Sequence, residues 1–143
     1  MMRFEREQSS GYLTNWAARL FAREMDRQLG PLGLSSAYMP IFFALAGDTA
    51  LTQKALAEQA AVEQPTMANP LKRMERDGLI SRLPDPSDRR SALVSLTPAA
   101  LEKLAAVQAA GHAVNARAMA GLNAEERTLY LALLRKVIDG LEG

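Results

Sequence analysis

Cysteine is absent from the 143 residues, and histidine occurs once, at His112. The first absence removes disulfides, thiolate metal sites, iron–sulfur clusters, cysteine nucleophiles and thiol-based redox sensing. The second leaves no multi-histidine metal site and at most one imidazole for a nucleophile–base pair. No serine, aspartate or metal-ligand spacing converges on His112, so the chain reads as a non-enzyme with no cofactor and no metal. Long apolar runs are missing too. Nearly apolar stretches such as Ile41 to Ala46 behind Pro40 fall far short of the roughly 20 residues that cross a bilayer, so no membrane partner is expected. Near the N-terminus Arg3, Glu5, Arg6 and Glu7 stand where a secretory signal needs an apolar core, which points to the cytoplasm. An excess of charge is lacking as well: 17 basic and 16 acidic residues leave a formal charge of +1, so any attraction to a polyanion must come from local clustering.

What is present is ordinary globular composition, 48% hydrophobic and 23% charged, in a chain sized for one domain spanning residues 1–143. Tyr12 to Leu29 carries Leu13, Trp16, Ala17, Leu20, Phe21, Met25 and Leu29 at helical spacing, and Gly30-Pro31-Leu32-Gly33 stops it. Ser35 is placed to cap a second helix running to Gly47, with Pro40 predicting a bend or loosened first turn near Ser36. Thr52 caps a short helix, Gln53 to Ala60. The turn Ala61-Val62-Glu63 then leads into another from Gln64 to Asp77, with Pro65 in its first turn and Gly78 at its end. Two short helices joined by a tight turn form the helix-turn-helix pattern, although Ala61 stands where glycine is the usual turn residue.

After Gly78 the period changes. Leu79 to Leu83 and Ser91 to Leu96 are strand-like, and the residues between, Pro84 to Arg90, predict a hairpin with a long tip. Thr97-Pro98 begins a long alanine-dense helix reaching Gly121, and Asn123 with Glu126 forms a capping box for a last amphipathic helix. The order is therefore four helices, a two-stranded wing and two helices, a mainly α (α+β) winged helix-turn-helix. Its reading head covers about residues 34–97, with dimerisation helices at about 10–30 and 98–142. The terminal helices carry more apolar surface than a winged helix covers, and Ala105, Ala106, Ala109, Ala110 and Ala113 permit close helix approach, which predicts a two-fold homodimer.

Lys72, Arg73, Arg76, Arg82, Arg89 and Arg90 gather in the second short helix and the hairpin, diluted by Glu75, Asp77, Asp85 and Asp88. Taken singly, such charges are usually a solvated face. In succession with two short helices and a polar wing, they favour double-stranded DNA as the partner. Gln64, Thr66 and Asn69 are candidates for base edges in the major groove, and Lys72 and Arg73 for phosphates. Thr52, at the head of the preceding helix, joins the candidate DNA-contacting set. Arg90, with Arg89 second, is the candidate for the minor groove.

The stretches Leu51-Thr52-Gln53-Lys54-Ala55-Leu56-Ala57-Glu58, Met74 to Ile80 and, above all, Asp85-Pro86-Ser87-Asp88-Arg89-Arg90-Ser91-Ala92-Leu93-Val94-Ser95-Leu96-Thr97 resemble the MarR family of bacterial transcriptional regulators. The resemblance extends along nearly the whole chain. It implies a homodimeric winged-helix regulator that binds a short palindromic operator, acts as repressor or activator, and releases DNA on binding a small aromatic compound. It also implies that Asp88 buttresses the wing while Arg90 enters the minor groove. Ala68 and Asn69 depart from the family's usual threonine and arginine, and Pro70, about five residues into the helix, predicts a kink with a cost of roughly 3 kcal/mol. Tyr12, Trp16, Tyr38, Met39 and Phe42 are the candidate effector-pocket lining, although at this spacing core packing is the commoner role. A repressor released by an aromatic effector is the leading expectation. The alternative, motivated by Asn69 and Pro70, is a winged-helix protein-interaction module without specific DNA binding; a small enzyme using His112 stands last.

Overall fold

Ser9 accepts the Tyr12 amide hydrogen on its hydroxyl and so opens the first helix, α1 (Ser10–Leu29). The computed structural model describes residues 3–47 and 49–143. Gly33, in the left-handed region at φ 74°, turns the chain out of the short 3-10 segment that ends α1. Another 3-10 turn, Ser36–Tyr38, capped by Ser35, precedes α2 (Met39–Ala44), so the loosened start expected from Pro40 takes this form, with the proline in the first turn of the α-helix proper.

Leu51–Thr52 forms β1, a short strand that the hydrophobic pattern does not announce. The Thr52 hydroxyl accepts from the Ala55 amide and starts α3 (Gln53–Ala60). Ala61 then adopts φ 55°, a left-handed backbone on a residue with a Cβ, and the chain enters α4 (Gln64–Arg76) with Pro65 in its first turn. Pro70 leaves the Thr66 carbonyl without its helical donor, yet α4 is one continuous helix through it. Gly78, at φ 75°, reverses the chain into β2 (Ile80–Asp85), and β3 (Asp88–Leu96) returns beside it.

The wing corrects two expectations. Its strands extend to a two-residue turn, Pro86-Ser87, with Asp85 opposite Asp88, so the seven-residue tip expected from its turn residues is absent. The sheet has three antiparallel strands in the order β1-β3-β2, with Leu51 opposite Val94 and Arg82 opposite Val94 on the other side. Pro84 is tolerated because β2 is an edge strand and the register is irregular there. The Thr97 hydroxyl donates to the Gly78 carbonyl at 2.6 Å and accepts from the Ala100 amide, tying the end of the reading head to α5 (Pro98–Ala118). Asn123 and Glu126 complete their capping box at the head of α6 (Ala124–Glu142).

One apolar cluster joins Met25 and Leu29 of α1, Tyr38, Ile41 and Phe42, Leu56 of α3, Met67, Leu71 and Met74 of α4, Ile80 and Val94 of the sheet, and Val107 and Val114 of α5. Glu24, largely shielded from solvent, receives hydrogen bonds from Arg27 and Arg117 and so links α1 to α5. In contrast, α6 buries none of its residues. The strained turn yields a test: Ala61→Gly removes the left-handed penalty of roughly 1–2 kcal/mol while adding unfolded-chain entropy. A net gain of about 1 kcal/mol, or a rise of about 4 °C in Tm by thermal denaturation, is expected; a lower Tm contradicts the strain.

Candidate nucleic-acid interface

The period of α4 decides which of its side chains reach solvent. Met67, Leu71 and Met74 are buried as one stripe, and that stripe turns Pro65, Asn69, Lys72 and Arg76 to the opposite face. Thr66 and Arg73 flank this face on one side and Ala68 on the other, all of them exposed. Gln64, also exposed, stands at the very start of the helix and toward its edge. Asn69, Lys72 and Glu75 share a shallow groove with Gln53 of α3 and Arg82 of β2. Gln53, which the sequence reading passed over, therefore lies beside the reading face; only its position directly after the Thr52 cap could have signalled it. The Thr52 hydroxyl itself is engaged as the α3 cap, and the side chain is half-buried.

Glu75 accepts from Arg82 at 3.1 Å, which ties the wing's edge strand to α4. Arg76 pairs with Asp77 at 3.2 Å. These two cations are thus partly neutralised, whereas Lys72 and Arg89 form no ion pair among the described residues. The Arg73 guanidinium lies over the Tyr38 ring, 5.3 Å from its centroid.

At the wing tip, two aspartates organise the turn. The Asp85 carboxylate accepts from the Ser87 hydroxyl at 2.7 Å and the Ser87 amide at 2.9 Å, and from the Ser91 hydroxyl at 3.3 Å. These bonds, that from the Ser87 hydroxyl foremost, hold its carboxyl below the ordinary value of 3.8. Asp88 accepts from the Arg90 amide at 2.9 Å and lies 3.6 Å from the Arg90 Nε. The Arg90 side chain is nonetheless 94% exposed, held at its base and free at its tip. A short, braced hairpin carrying two consecutive arginines beside a helix with an outward polar face has the shape and charge to engage one groove and the neighbouring backbone of a duplex.

Similarity to known proteins decides what this arrangement belongs to. The sequence model of the MarR family matches residues 43–92. The transcriptional regulator HosA of Escherichia coli O111:H- is 36% identical over 96 residues, which cover 67% of this chain and 71% of HosA. The chain belongs to the MarR family. It is accordingly a transcriptional regulator of winged-helix fold. The solved structure of a MarR-family regulator from Silicibacter pomeroyi superimposes with a TM-score of 0.75 at 30% identity, covering 95% of this chain and 92% of that one. A likeness of fold alone, with a TM-score of 0.87 at 24% identity over 96% of this chain and 99% of that one, links it to BpsR of Bordetella bronchiseptica, whose DNA binding is described as regulated by 6-hydroxynicotinic acid.

A second feature of this MarR-family chain lies between α1, α2 and α5: a hollow of about 570 Å³ lined by Phe21, Met25, Met39, Phe43 and Val114, with Gln108, His112 and Asn115 along α5. Of the five residues expected in a pocket, Met39 alone lines it. Tyr38 and Phe42 point into the core, and Tyr12 and Trp16 sit side by side on the outer face of α1, ring centroids 6.1 Å apart, with Trp16 48% exposed. His112 also borders the hollow.

The bracing of the wing carries a sign for acid. Because folding lowers the Asp85 carboxyl, its contribution to wing order is complete above the ordinary aspartate value of 3.8 and is lost as pH falls through the lower folded value. Carbon-detected NMR titration is expected to place the Asp85 midpoint below 3.8, with the Ser87 amide signal moving in step. A midpoint at or above that value contradicts the hydrogen-bonded wing.

Proposed function

We propose that the chain is a homodimeric repressor that binds a palindromic operator through α4 and the wing and releases it when a small aromatic compound occupies the α1–α2–α5 hollow. The observation that carries the DNA-binding part is the disposition of Lys72, Arg73, Arg89 and Arg90, all exposed on one helix and the adjoining hairpin of a molecule whose net charge is only +1. Phosphate contacts by Lys72 and Arg73 set register, Asn69 and Thr66 meet base edges with Gln64 at the helix start, and Arg90 enters the minor groove with Arg89 beside it. Asp88 holds the Arg90 backbone at 2.9 Å, consistent with a buttressing role.

Dimerisation is supported by α6. Tyr130, Leu133, Leu134, Val137, Ile138 and Leu141 recur at helical spacing, and most are substantially exposed. Leu13, Trp16 and Leu20 present further apolar surface on α1. An apolar helix face without a cover inside its own chain is best satisfied by a second copy, which places two recognition helices about 34 Å apart, one turn of DNA. The effector reading draws on the apolar floor and hydrogen-bonding α5 edge of the hollow, and on the ligand of the BpsR relative. The residues read as one domain, with the reading head, α1 and α5 sharing the apolar cluster. Asn69 remains exposed on an unbroken α4, so the interaction-module alternative gains no support from Pro70.

Selection of bound fragments from a random DNA pool tests the reading and is expected to return an inverted repeat. Against the selected site, Arg90→Ala is expected to lower affinity by about tenfold or more in anisotropy titrations, the size of one strong groove contact, with dimer mass unchanged by sedimentation. Lys72→Ala is expected to reduce the slope of log affinity against log salt by about one. An unchanged titration for Arg90→Ala defeats the wing assignment.

A further inference from the structure

Tyr38, expected from the sequence in the effector pocket, is instead buried between the two features to which the proposed function assigns DNA and effector. It ends the 3-10 turn Ser36–Tyr38, whose Ser36 and Ala37 form part of the wall of the α1–α2–α5 hollow. Its ring is 2% exposed and lies under the Arg73 guanidinium of α4. One three-residue segment therefore touches the hollow through its first two residues and the recognition helix through its third.

The segment is held by its ends. Ser36 donates its amide hydrogen to Asp26 Oδ1 on α1 at 2.7 Å, Ala37 donates to the Ser35 hydroxyl, and the Tyr38 amide donates to the Ser35 carbonyl at 3.0 Å. Directly after it, Met39, Pro40 and Phe43 continue the wall of the hollow along α2. A ring packed in a close-packed interior has few alternative rotamers, so displacement of this turn has to move the ring or the helix lying on it. The cation above the ring is on an exposed side chain, where a favourable ring contact restricts an otherwise mobile guanidinium.

We propose that Tyr38 is a positioning residue that fixes Arg73 for phosphate contact and transmits occupancy of the hollow to α4. The proposal rests on the reading of α4 as the DNA-contacting helix and of the hollow as the effector site. It adds the route between them and the residue that carries it. With the hollow empty, the turn Ser36–Tyr38 keeps its ring under Arg73. With the hollow filled, pressure on Ser36, Ala37 and Met39 shifts the ring, Arg73 loses its fixed position, and DNA binding weakens without any contact between ligand and DNA.

The test uses DNA selected by the wild-type chain, with anisotropy titrations over a range of salt. Arg73→Ala is expected to weaken binding about fivefold and lower the salt slope by about one. Tyr38→Leu should do nearly the same, the double variant no more than either alone, and Tyr38→Phe, which retains the ring, should stay within about twofold of wild type. Additive losses in the double variant overturn the positioning role, as does a Tyr38→Phe loss equal to that of Tyr38→Leu.

Transmission is read by filling the hollow from α5. A Cβ at Gly111 lies 3.6 Å from both Met39 Cε and Phe43 Cζ, so Gly111→Leu drives bulk against α2 without a dissolved ligand. It is expected to weaken DNA binding about tenfold in the wild-type background and less than twofold where Tyr38→Leu or Arg73→Ala has already cut the route. The Arg73 background keeps the test decisive even if Tyr38→Leu does not fold. Equal losses in all backgrounds, or no loss in wild type, overturn the link, whereas a wild-type chain that selects no DNA defeats the functional reading beneath it.

Discussion

The burial of a single stripe on α4 governs the reading head. Met67, Leu71 and Met74 are each at most 2% exposed and join the same cluster as Leu56 and Val94. Full burial of such side chains contributes roughly 1.5–3 kcal/mol apiece, far more than any surface ion pair on the helix. Once these three face inward, the 3.6-residue period leaves Asn69, Lys72 and Arg76 no orientation except outward. Apolar packing thus aims the polar face, and electrostatics acts on a geometry already set. Pro70 is tolerated on the same account: the missing hydrogen bond at Thr66 is offset by burial on both sides of it, and α4 stays continuous.

The charges are then sorted rather than massed. Arg82 is drawn to Glu75 and thereby joins wing to helix, Arg76 is answered by Asp77, and the remaining cations stay in solvent. Exposed pairs of this kind contribute little stability, so their value lies in orientation. Asp85 and Asp88 do the corresponding work at the wing, where a two-residue turn is held by side-chain acceptors and Arg90 is left with a fixed root and a solvent-exposed side chain. A chain with a net charge of +1 can in this way offer a basic contact surface without becoming a general polycation.

Local chemistry was the most legible part of the sequence. The caps at Thr52, Thr97 and Asn123, the glycine after α4 and the change of period into the wing are all short-range signals, and each stands where the residues predict. The helix-turn-helix was readable despite Ala61, which adopts the left-handed backbone that glycine would have advertised. The wing tip was misread because Pro84 and the residues after it are turn formers, while an edge strand can accommodate proline by leaving its nitrogen outside the ladder. Strand β1 was invisible because two residues, Leu51 and Thr52, carry no period; only their pairing with β3 makes them a strand. The hollow was the hardest to place. Tyr38, Met39 and Phe42 are consecutive or nearly so, and whether such a residue lines a cavity or fills the core depends on how α1 and α2 pack against α5, which is far from both in the chain. Tyr12 and Trp16, candidates for the same pocket, lie instead side by side on α1 away from the hollow, with Trp16 half-exposed. His112 acquired its neighbours only through the same tertiary contact.

Hydroxyl-radical footprinting of the selected DNA tests most directly whether two such reading heads act together on one duplex. The account predicts protection that repeats on one face at an interval of about 10 base pairs, flanked by protected minor-groove segments where the wings lie. Protection confined to a single turn with no symmetric partner, or none on DNA the chain demonstrably retains, would contradict it.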